Sequence, residues 1–402
     1  MSIPLSRIKQ LFPIFHQTKN LVYLDNAATT QKPNFVIDTI HLFYELENAN
    51  IHRGLYELSS EATQRYEEVR ATVTNFIGAK SKNDIAFTKG TTESINVVAN
   101  SFLSLLNEGD NIVVSAMEHH ANLIPWQQIC FKKKATLRII PVNQDGDLVL
   151  DKLESLMDGR TKLLAVTHIS NTLGTINPIQ EIIATAHKKN VPVLVDAAQS
   201  AGHYPINVLD LDVDFLAFSA HKMFGPMGTG VLYVNQRHHQ LIQPLNFGGG
   251  AIREVSFAET KFMEYPFCLE AGTPHVPGVL ALGTAIDFIE QLDLHETSNH
   301  TYQLAMAFRN EIKSLGFVQA VGNPKNSGSI VSFVVDGIHP HDVAGFLAEQ
   351  QIAVRAGHHC TQPLHDSLGL TATVRASFSI YNSLHDVGKI IDALRALKKF
   401  WS

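Results

Sequence analysis

The most informative residue of the chain is Lys222, which lies in the run Phe218-Ser219-Ala220-His221-Lys222-Met223-Phe224-Gly225-Pro226. This run overlaps the segment Val213-Asp214-Phe215-Leu216-Ala217-Phe218, whose apolar character predicts a buried strand. A lone lysine beyond such a strand is normally a solvated residue. Lys222 has a counterpart, however, because Asp196 ends another apolar run and Gln199 follows one turn later.

Lys222 and Asp196 together suit one type of cofactor chemistry. A lysine amine forms a Schiff base with an aldehyde cofactor. A carboxylate keeps the ring nitrogen of such a cofactor protonated, which makes the ring an electron sink. Lys222 and Asp196 therefore predict an enzyme that uses pyridoxal 5'-phosphate.

The middle of the chain alternates strands with helices. Helices are predicted at 92–106, from near His119, and at 179–189, and strands at 84–87, 111–115, 163–166, 193–196, 214–219 and 230–234. Continuous apolar strands separated by helices predict an α/β fold with a mostly parallel sheet covered on both faces. Ligands of such sheets bind at the carboxyl ends of the strands, where Asp196 and Lys222 fall.

After Pro277 the pattern changes to that of a smaller α+β unit. Residues 245–262 predict an irregular loop or hairpin, and the later segments predict helices at 279–292, 298–315, 342–349 and 384–398 and strands at 329–335 and 373–378. We expect a large cofactor-binding domain over 26–284. The small domain is expected to combine 1–25 with 285–402.

Composition excludes several classes of protein. The 402 residues, 45% hydrophobic and 17% charged, are typical of a globular protein with room for two domains. The net charge of −6 argues against a nucleic-acid partner, because phosphate binding requires a basic surface. We find no signal-peptide pattern and no stretch long enough to span a bilayer, so a cytoplasmic protein without a membrane partner is expected.

A phosphate site is predicted where Gly90-Thr91-Thr92-Glu93-Ser94 follows a strand and opens a helix. Free amides and two hydroxyls at a helix N-terminus bind phosphate, although the same motif also serves as a plain N-cap. Ser219 and His221 can add donors or be ordinary turn residues. His119 can stack on a flat ring or simply terminate a helix. The order of these residues on successive strand–helix units favours the cofactor site.

Cys360 lies in the loop Arg355-Ala356-Gly357-His358-His359-Cys360-Thr361-Gln362-Pro363. Its cationic and imidazole neighbours favour the thiolate, the reactive form of cysteine. Cys130 and Cys268 lie in apolar segments and are expected to be buried and inert. An odd count of three cysteines without a C-x-x-C motif argues against a disulfide framework and against a structural zinc site.

Two further features involve charge. The histidines near Cys360 could ligate zinc together with His339 and His341, but their spacing fits no closed zinc site, so no metal is expected. Arg375 lies inside an apolar strand, where a buried guanidinium needs an anionic partner. A substrate carboxylate or an internal Asp or Glu would serve equally well.

Eight motifs resemble the group II cysteine desulfurases, the SufS/CsdA type within the class V aminotransferase superfamily. They are Tyr23-Leu24-Asp25-Asn26-Ala27-Ala28, Asn50-Ile51-His52-Arg53-Gly54, Gly90-Thr91-Thr92-Glu93-Ser94-Ile95-Asn96, Glu118-His119-His120-Ala121-Asn122, Asp196-Ala197-Ala198-Gln199, Ser219-Ala220-His221-Lys222, Glu270-Ala271-Gly272-Thr273-Pro274 and Arg355-Ala356-Gly357-His358-His359-Cys360. The match runs from about residue 20 to the C-terminus. The resemblance implies fold-type I pyridoxal-phosphate architecture, a homodimer, and removal of sulfur from L-cysteine to leave L-alanine.

The resemblance also implies how the cofactor is held. The assigned roles are the Schiff-base bond for Lys222, the ring nitrogen for Asp196, the phenolic oxygen for Gln199, ring stacking for His119, and the phosphate for Thr91, Thr92, Ser219 and His221. Thr273 would reach the phosphate of the neighbouring subunit.

Substrate binding and sulfur transfer follow from the same resemblance. Asn171 and Arg375 would bind the substrate carboxylate, with Arg355 beside them, and Cys360 would accept the sulfur as a persulfide. The short segment from Cys360 to Thr373 resembles group II rather than the long cysteine loop of group I. Thr361-Gln362 departs from the commoner family pattern.

We therefore expect an L-cysteine desulfurase that passes sulfur to an acceptor protein, with iron–sulfur cluster assembly as its destination. Three alternatives stay open at this point. L-Selenocysteine could be the substrate, since the same site suits both amino acids. An aminotransferase or epimerase of the same fold would not need Cys360. A catalytically silent regulator would not need Lys222, Asp196 and Cys360 together.

Overall fold

A seven-stranded sheet lies at the centre of the chain in the computed structural model, which describes residues 3–18 and 20–401. Its strands, in spatial order, are Ile85–Thr88, Gly230–Val234, Phe215–Ser219, Val193–Asp196, Thr161–Thr167, Asn111–Ser115 and Thr136–Ile140. Gly230–Val234 runs antiparallel to both neighbours, and the other four pairings are parallel. The predicted α/β fold with a mostly parallel sheet is confirmed. Strand 136–140 was not predicted.

Alternate side chains of the central strands enter two separate cores. Val113 packs into the core on one face of the sheet, whereas Ile112 and Val114 pack into the core on the other. Helices cover both faces, so strands such as 111–115 are buried at every position. The longer helices of this part are Asn34–Leu42, Glu57–Phe76, Thr91–Leu103, Ile124–Lys133, Ile179–His187 and Val276–Glu290.

The helix predicted from near His119 begins later than expected. His119 precedes a short 3-10 turn, His120–Asn122, and the α-helix starts only at Ile124. The Nδ1 atom of His119 accepts a hydrogen bond from the amide of Ala121, which caps the turn. His119 is therefore a cap residue rather than the first residue of an α-helix.

A second, four-stranded antiparallel sheet follows in the C-terminal part. Its strands, in spatial order, are Val318–Ala320, Ile330–Val335, Thr373–Ser377 and Arg355–Gly357. Its helices are Leu294–Leu315, Pro340–Glu349, Gln362–Ser367 and Leu384–Trp401. Near the N-terminus, Val22–Tyr23 pairs in parallel with Ile352–Ala353, and the predicted hairpin consists of Ile252–Val255 and Thr260–Phe262. Short helices lie at Leu5–Ile8, Ile14–Gln17, Leu153–Leu156 and Val208–Leu211.

The domain boundaries given above stay a prediction. The expected small domain includes residues 1, 2, 19 and 402, which lie outside the described residues. The expected division at 284 and 285 falls within the helix Val276–Glu290. No helix within 3–18 or 20–401 is both long and apolar enough to cross a membrane.

The two sheets meet beside the carboxyl ends of the parallel strands. The amide of His120 donates to the carbonyl of Cys360 at 2.7 Å, and the hydroxyl of Ser332 donates to the carbonyl of Thr172 at 2.6 Å. Asp25 forms an isolated parallel bridge with Ser377. These contacts bring the loop of Cys360 to the edge of the large sheet where Asp196 and Lys222 lie.

Candidate active site

A cavity of about 430 Å³ opens where the two sheets meet. Twelve of the thirteen predicted site residues line it: Thr91, Thr92, His119, Asn171, Asp196, Gln199, Ser219, His221, Lys222, Arg355, Cys360 and Arg375. The thirteenth, Thr273, is exposed and does not line this cavity. The individual roles assigned to these residues stay predictions.

Lys222 ends a 3-10 turn, Ala220–Lys222, that directly follows strand Phe215–Ser219. Burial lowers the pKa of Lys222 to about 8, although the negative charge of Asp196 acts in the opposite direction. The carbonyl of Lys222 accepts a hydrogen bond from Nε2 of His203 at 2.8 Å, which fixes the turn. The neutral form of the amine, which a nucleophile or a base requires, is thus far more accessible near neutral pH than in an ordinary lysine.

Asp196 ends its strand in full burial, and burial raises the pKa of its carboxyl. One oxygen, Oδ1, accepts a hydrogen bond from the amide of Ala198 at 2.9 Å. A buried carboxylate favours a cation in contact with it. Behind it lies a second buried carboxyl, that of Glu118, which accepts bonds from Asn122 and from the amide of Thr167. Burial raises the pKa of Glu118 to about 8.

His119 presents a neutral ring to the cavity. Burial and the charge of Lys222 lower the pKa of His119 to about 3. Because Nδ1 accepts a bond from the amide of Ala121, the proton of the neutral ring is on Nε2. Gln199 lies nearby, with its side-chain amide donating to the carbonyl of Ala27 at 2.8 Å.

The opposite end of the cavity is formed by the N-terminus of helix Thr91–Leu103. The amide and the hydroxyl of Thr91 both lie 2.8 Å from the hydroxyl oxygen of Ser219. His221 contributes Nδ1, a buried ring nitrogen without a hydrogen-bond partner. Gly90 has a φ of 152°, and a Cβ on Gly230 would lie 2.4 Å from the Cα of Gly90. Neither position accommodates a side chain without moving the start of the helix.

Lys32 supports this end of the cavity from behind. Its ammonium donates to the carbonyl of His221 at 2.8 Å and to the carbonyl of Thr30 at 2.5 Å. Burial lowers the pKa of Lys32 to about 7. The hydroxyl of Thr29 also donates to the carbonyl of His221. Lys32 thus holds the backbone of His221, and the fraction of Lys32 that is protonated near neutral pH adds positive charge close to the ring of His221.

Asp25 connects two arginines of the cavity, Arg355 and Arg375. It binds Nη2 of Arg355 at 2.7 Å and Nη2 of Arg375 at 3.2 Å. Arg375 also donates to the carbonyl of Asn171 at 2.9 Å, while its Nε is buried and unpaired. The internal partner that the sequence left open for Arg375 is therefore Asp25, and one donor of the same guanidinium remains free.

Cys360 is exposed, as its polar loop predicted, whereas Cys130 and Cys268 are buried. Burial raises the pKa of each of these two thiols to about 11, which agrees with the expectation that they are inert. The loop has unusual backbone geometry, because φ is +51° at His359 and +59° at Cys360. The neighbouring His358 is exposed, but the ring of His359 is buried.

The residues fit pyridoxal 5'-phosphate in three places. The unpaired Nδ1 of His221 and the helix N-terminus at Thr91 suit a phosphate group. The buried carboxylate of Asp196 suits a protonated ring nitrogen, and the amine of Lys222, whose pKa is about 8, suits an aldehyde. In the part of the chain that the structure describes, no group of three or more His, Cys, Asp or Glu is arranged to hold a metal ion.

Several residues of the site were not predicted from the sequence. Asp25 and Thr373 belong to strand-like segments, and Lys32 lies in a short Gln-Lys-Pro segment without a recognisable pattern. Glu118 and His365 are buried, at 1% exposure each. Asp25 and Glu118 do fall inside two motifs that carried the resemblance, which was the available signal. Nothing in the local sequence pointed to Lys32 or Thr373.

Comparison with known proteins decides the family. The model of the family described as aminotransferase class-V matches residues 22–390. The chain belongs to the class-V aminotransferase family. A cysteine desulfurase of Cronobacter sakazakii is 45% identical over 399 residues, which cover 98% of each chain. The resemblance to cysteine desulfurases is thus confirmed, and so is pyridoxal 5'-phosphate as the cofactor of the family.

Solved structures of cysteine desulfurases share the fold of this family member over nearly its full length. The apo structure of the enzyme from Thermococcus onnurineus NA1 has a TM-score of 0.94 and 39% sequence identity, covering 99% of both chains. CsdA of Escherichia coli, in an S-sulfonic acid form, has a TM-score of 0.92 and 37% identity over the same shares. The predicted fold-type I architecture is confirmed by these similarities.

Proposed function

We propose that the protein is an L-cysteine desulfurase that converts L-cysteine to L-alanine and carries the sulfur as a persulfide on Cys360. One observation carries the proposal: the exposed thiol of Cys360 opens on the same cavity as the buried amine of Lys222. An aminotransferase or epimerase of the same fold has no use for a thiol at this position. The names of the similar proteins support the same activity.

The substrate end of the cavity suits an amino-acid carboxylate. Arg375 keeps Nε free although its side chain is only 3% exposed, and Asn171 lies beside it. A planar guanidinium binds a carboxylate through paired hydrogen bonds. Arg355, which is 48% exposed, also lines the cavity. These groups would hold the α-carboxylate and thereby direct the rest of the substrate toward Lys222 and Cys360.

Lys222 is the base in this proposal. Because its pKa is about 8, its neutral amine can take the proton from the α-carbon of the bound amino acid and return a proton later. Pyridoxal 5'-phosphate, when bound, withdraws electrons from that carbon. His119, whose pKa is about 3, is neutral and can donate hydrogen bonds through Nε2 without carrying a positive charge.

Cys360 performs the sulfur transfer. Its thiolate forms a bond to the sulfur of the substrate while the bond between that sulfur and the β-carbon breaks. The electron pair of the broken bond stays with the carbon skeleton, which takes up a proton and leaves as L-alanine. The thiol of Cys360 is oxidised to a persulfide as the carbon is reduced, so no external oxidant is required.

The wider setting is part of the same proposal. A homodimer is supported by the exposure of Thr273 and by exposed apolar side chains concentrated between residues 37 and 58, namely Ile37, Leu42, Tyr44, Leu46, Leu55, Tyr56 and Leu58. We propose further that a sulfur-acceptor protein takes the persulfide in the cytoplasm, with iron–sulfur cluster assembly as the destination. A monomer with full activity at working concentration would contradict the homodimer.

The activity can be tested with the purified protein loaded with cofactor. L-Cysteine should yield L-alanine, with a persulfide on Cys360 that an alkylating reagent traps and peptide mass spectrometry locates. L-Alanine without any persulfide on Cys360, or no reaction with L-cysteine at all, would refute the proposal.

A further inference from the structure

Three side chains behind Cys360 form a continuous hydrogen-bonded chain. Nε2 of His365 lies 3.1 Å from the hydroxyl oxygen of Thr373, and Nε2 of His359 lies 2.9 Å from the same oxygen. All three side chains are buried, and His359 directly precedes Cys360. A single hydroxyl thus joins two imidazoles beneath the loop that carries the thiol.

The donor and the acceptor of each hydrogen bond can be assigned by starting at His365. Nδ1 of His365 lies 3.1 Å from the carbonyl of Thr361, which can only accept, so this nitrogen carries the proton. Burial lowers the pKa of His365, so its ring is neutral and its Nε2 is an acceptor. The one hydroxyl proton of Thr373 is therefore donated to His365.

The tautomer of His359 follows from the hydrogen bond that Thr373 donates to His365. Since the proton of Thr373 is already used, its oxygen accepts from His359, and the proton of that ring is on Nε2. Burial and the charge of Arg375 lower the pKa of His359 to about 2. Its Nδ1 is consequently unprotonated, and this atom is buried without a hydrogen-bond partner.

His359 is thereby unsuited to proton transfer and suited to holding structure. A ring with so low a pKa does not take a proton from a neighbouring thiol at neutral pH. The backbone at His359 and Cys360 is left-handed at both residues, with φ of +51° and +59°. Such a conformation costs about 1 to 2 kcal/mol per non-glycine residue and persists only where surrounding contacts enforce it.

We propose that Thr373 and His365 are positioning residues that fix the ring of His359 and thereby the left-handed turn that presents the thiol of Cys360. The turn has other anchors, because Asn171 donates to the carbonyl of His359 at 2.7 Å and Thr172 shares a hydrogen bond with Thr361 at 2.8 Å. These two hydrogen bonds hold the backbone of His359 and the side chain of Thr361. The buried chain controls the ring next to the thiol.

The first test uses the resting protein without substrate. Thr373→Val removes the shared hydroxyl at nearly constant shape, and Thr373→Ser retains it. Hydrogen exchange of peptides covering 357–363 should be about 5- to 30-fold faster in Thr373→Val, the effect of one or two lost hydrogen bonds. Thr373→Ser should restore slow exchange. Thr371→Val, at an exposed position two residues away, is the matched control and should exchange like the wild type.

The second test measures sulfur transfer and rests on the proposed function. In Thr373→Val the rate of persulfide formation on Cys360 should fall about 10- to 100-fold, as expected for a displaced nucleophile. The Kd for L-cysteine should stay unchanged because Arg375 is untouched. His365→Met breaks the chain from its other end, and the double variant should be no slower than Thr373→Val alone, since both changes remove one unit.

The outcomes separate the two proposals. Three results would each overturn the positioning role. The first is normal exchange and normal persulfide formation in Thr373→Val, the second is equal impairment in Thr373→Ser, and the third is additive losses in the double variant. If the wild type forms no persulfide from L-cysteine, the proposed function fails, and the exchange experiment alone still decides whether Thr373 and His365 hold the turn.

Discussion

Asp25 lies 3.2 Å from Arg375, so the arginine assigned to the substrate carboxylate already binds an anion of the protein. The same carboxylate binds Arg355 at 2.7 Å. Asp25 thus balances two guanidinium groups that line the cavity. Nε of Arg375 is buried and has no hydrogen-bond partner, so Asp25 does not use every donor of this guanidinium.

Asp25→Asn should lower the free energy of unfolding by about 3 kcal/mol, because removal of one partner leaves the buried charge of Arg375 uncompensated. Denaturation by urea measures the effect. Asp392→Asn is the control, since it removes an exposed pair with Arg395 and should leave stability unchanged. Equal stability of Asp25→Asn and wild type would show that this ion pair is not needed to compensate Arg375.

Lys222 should bind the cofactor covalently in a pH-dependent way. Burial lowers the pKa of its amine to about 8, so the neutral, nucleophilic fraction rises as pH increases through this value and is nearly complete above it. The rate at which cofactor-free protein acquires a borohydride-fixable cofactor should follow the same curve. Lys222→Ala should lose the fixable linkage entirely, and retention of that linkage would disprove the assignment.

Cys360→Ala should abolish persulfide formation from L-cysteine while leaving L-cysteine binding intact, because Arg375 and Lys222 are unchanged. Cys130→Ala and Cys268→Ala should retain activity, since burial raises the pKa of both thiols to about 11 and disfavours the thiolate. Mass spectrometry after alkylation locates the persulfide. Its appearance mainly on Cys130 or Cys268 would contradict the proposed sulfur transfer.

Lys32→Met should weaken cofactor binding although Lys32 does not line the main cavity. The change removes the hydrogen bond to the carbonyl of His221 and the charge beside its ring. We expect the Kd for pyridoxal 5'-phosphate to rise about tenfold, the effect of one charged hydrogen bond. Absorbance titration of cofactor-free protein measures it, with Lys261→Met at an exposed ion pair as the control. An unchanged Kd would remove Lys32 from the cofactor site.

Asp214→Asn should reduce stability in a pH-dependent way. Burial opposes ionisation of Asp214, but hydrogen bonds from His238 and His187 and the charge of Arg237 outweigh it and lower the pKa to about 2 from 3.8. Folding therefore gains about 2 kcal/mol from this carboxylate above its ordinary pKa. That gain is lost as pH falls through about 2, so the stabilities of variant and wild type should converge there. A constant difference at all pH values would contradict the linkage.

The sequence was sufficient for those parts of the protein that depend on local patterns. Continuous apolar runs predicted the parallel strands, and residues at their ends, such as Asp196 and Lys222, follow from the topology of a parallel sheet. Helix Glu57–Phe76 was missed because its mean composition is polar and its buried face is narrow. Strand 136–140 was missed because Arg138 interrupts its short apolar run.

Residues that act through distant contacts could not be predicted in the same way. Asp25 and Arg375 are 350 positions apart, and Lys32 and His221 are 189 apart. No periodicity or spacing encodes such a pairing, because it depends on how the two sheets pack against each other. Thr373 is similar, since a threonine in a buried strand is normally a packing residue.

The antiparallel strand Gly230–Val234 has an evolutionary consequence. Because it runs opposite to its neighbours, its first residue, Gly230, pairs with Ser219 and Thr88 at the rim of the sheet and touches the backbone of Gly90. A survey of tolerated substitutions would therefore record position 230 as restricted to glycine. A reader of such a survey would infer contact with a ligand, whereas the restriction arises from two backbones that approach without room for a methyl group.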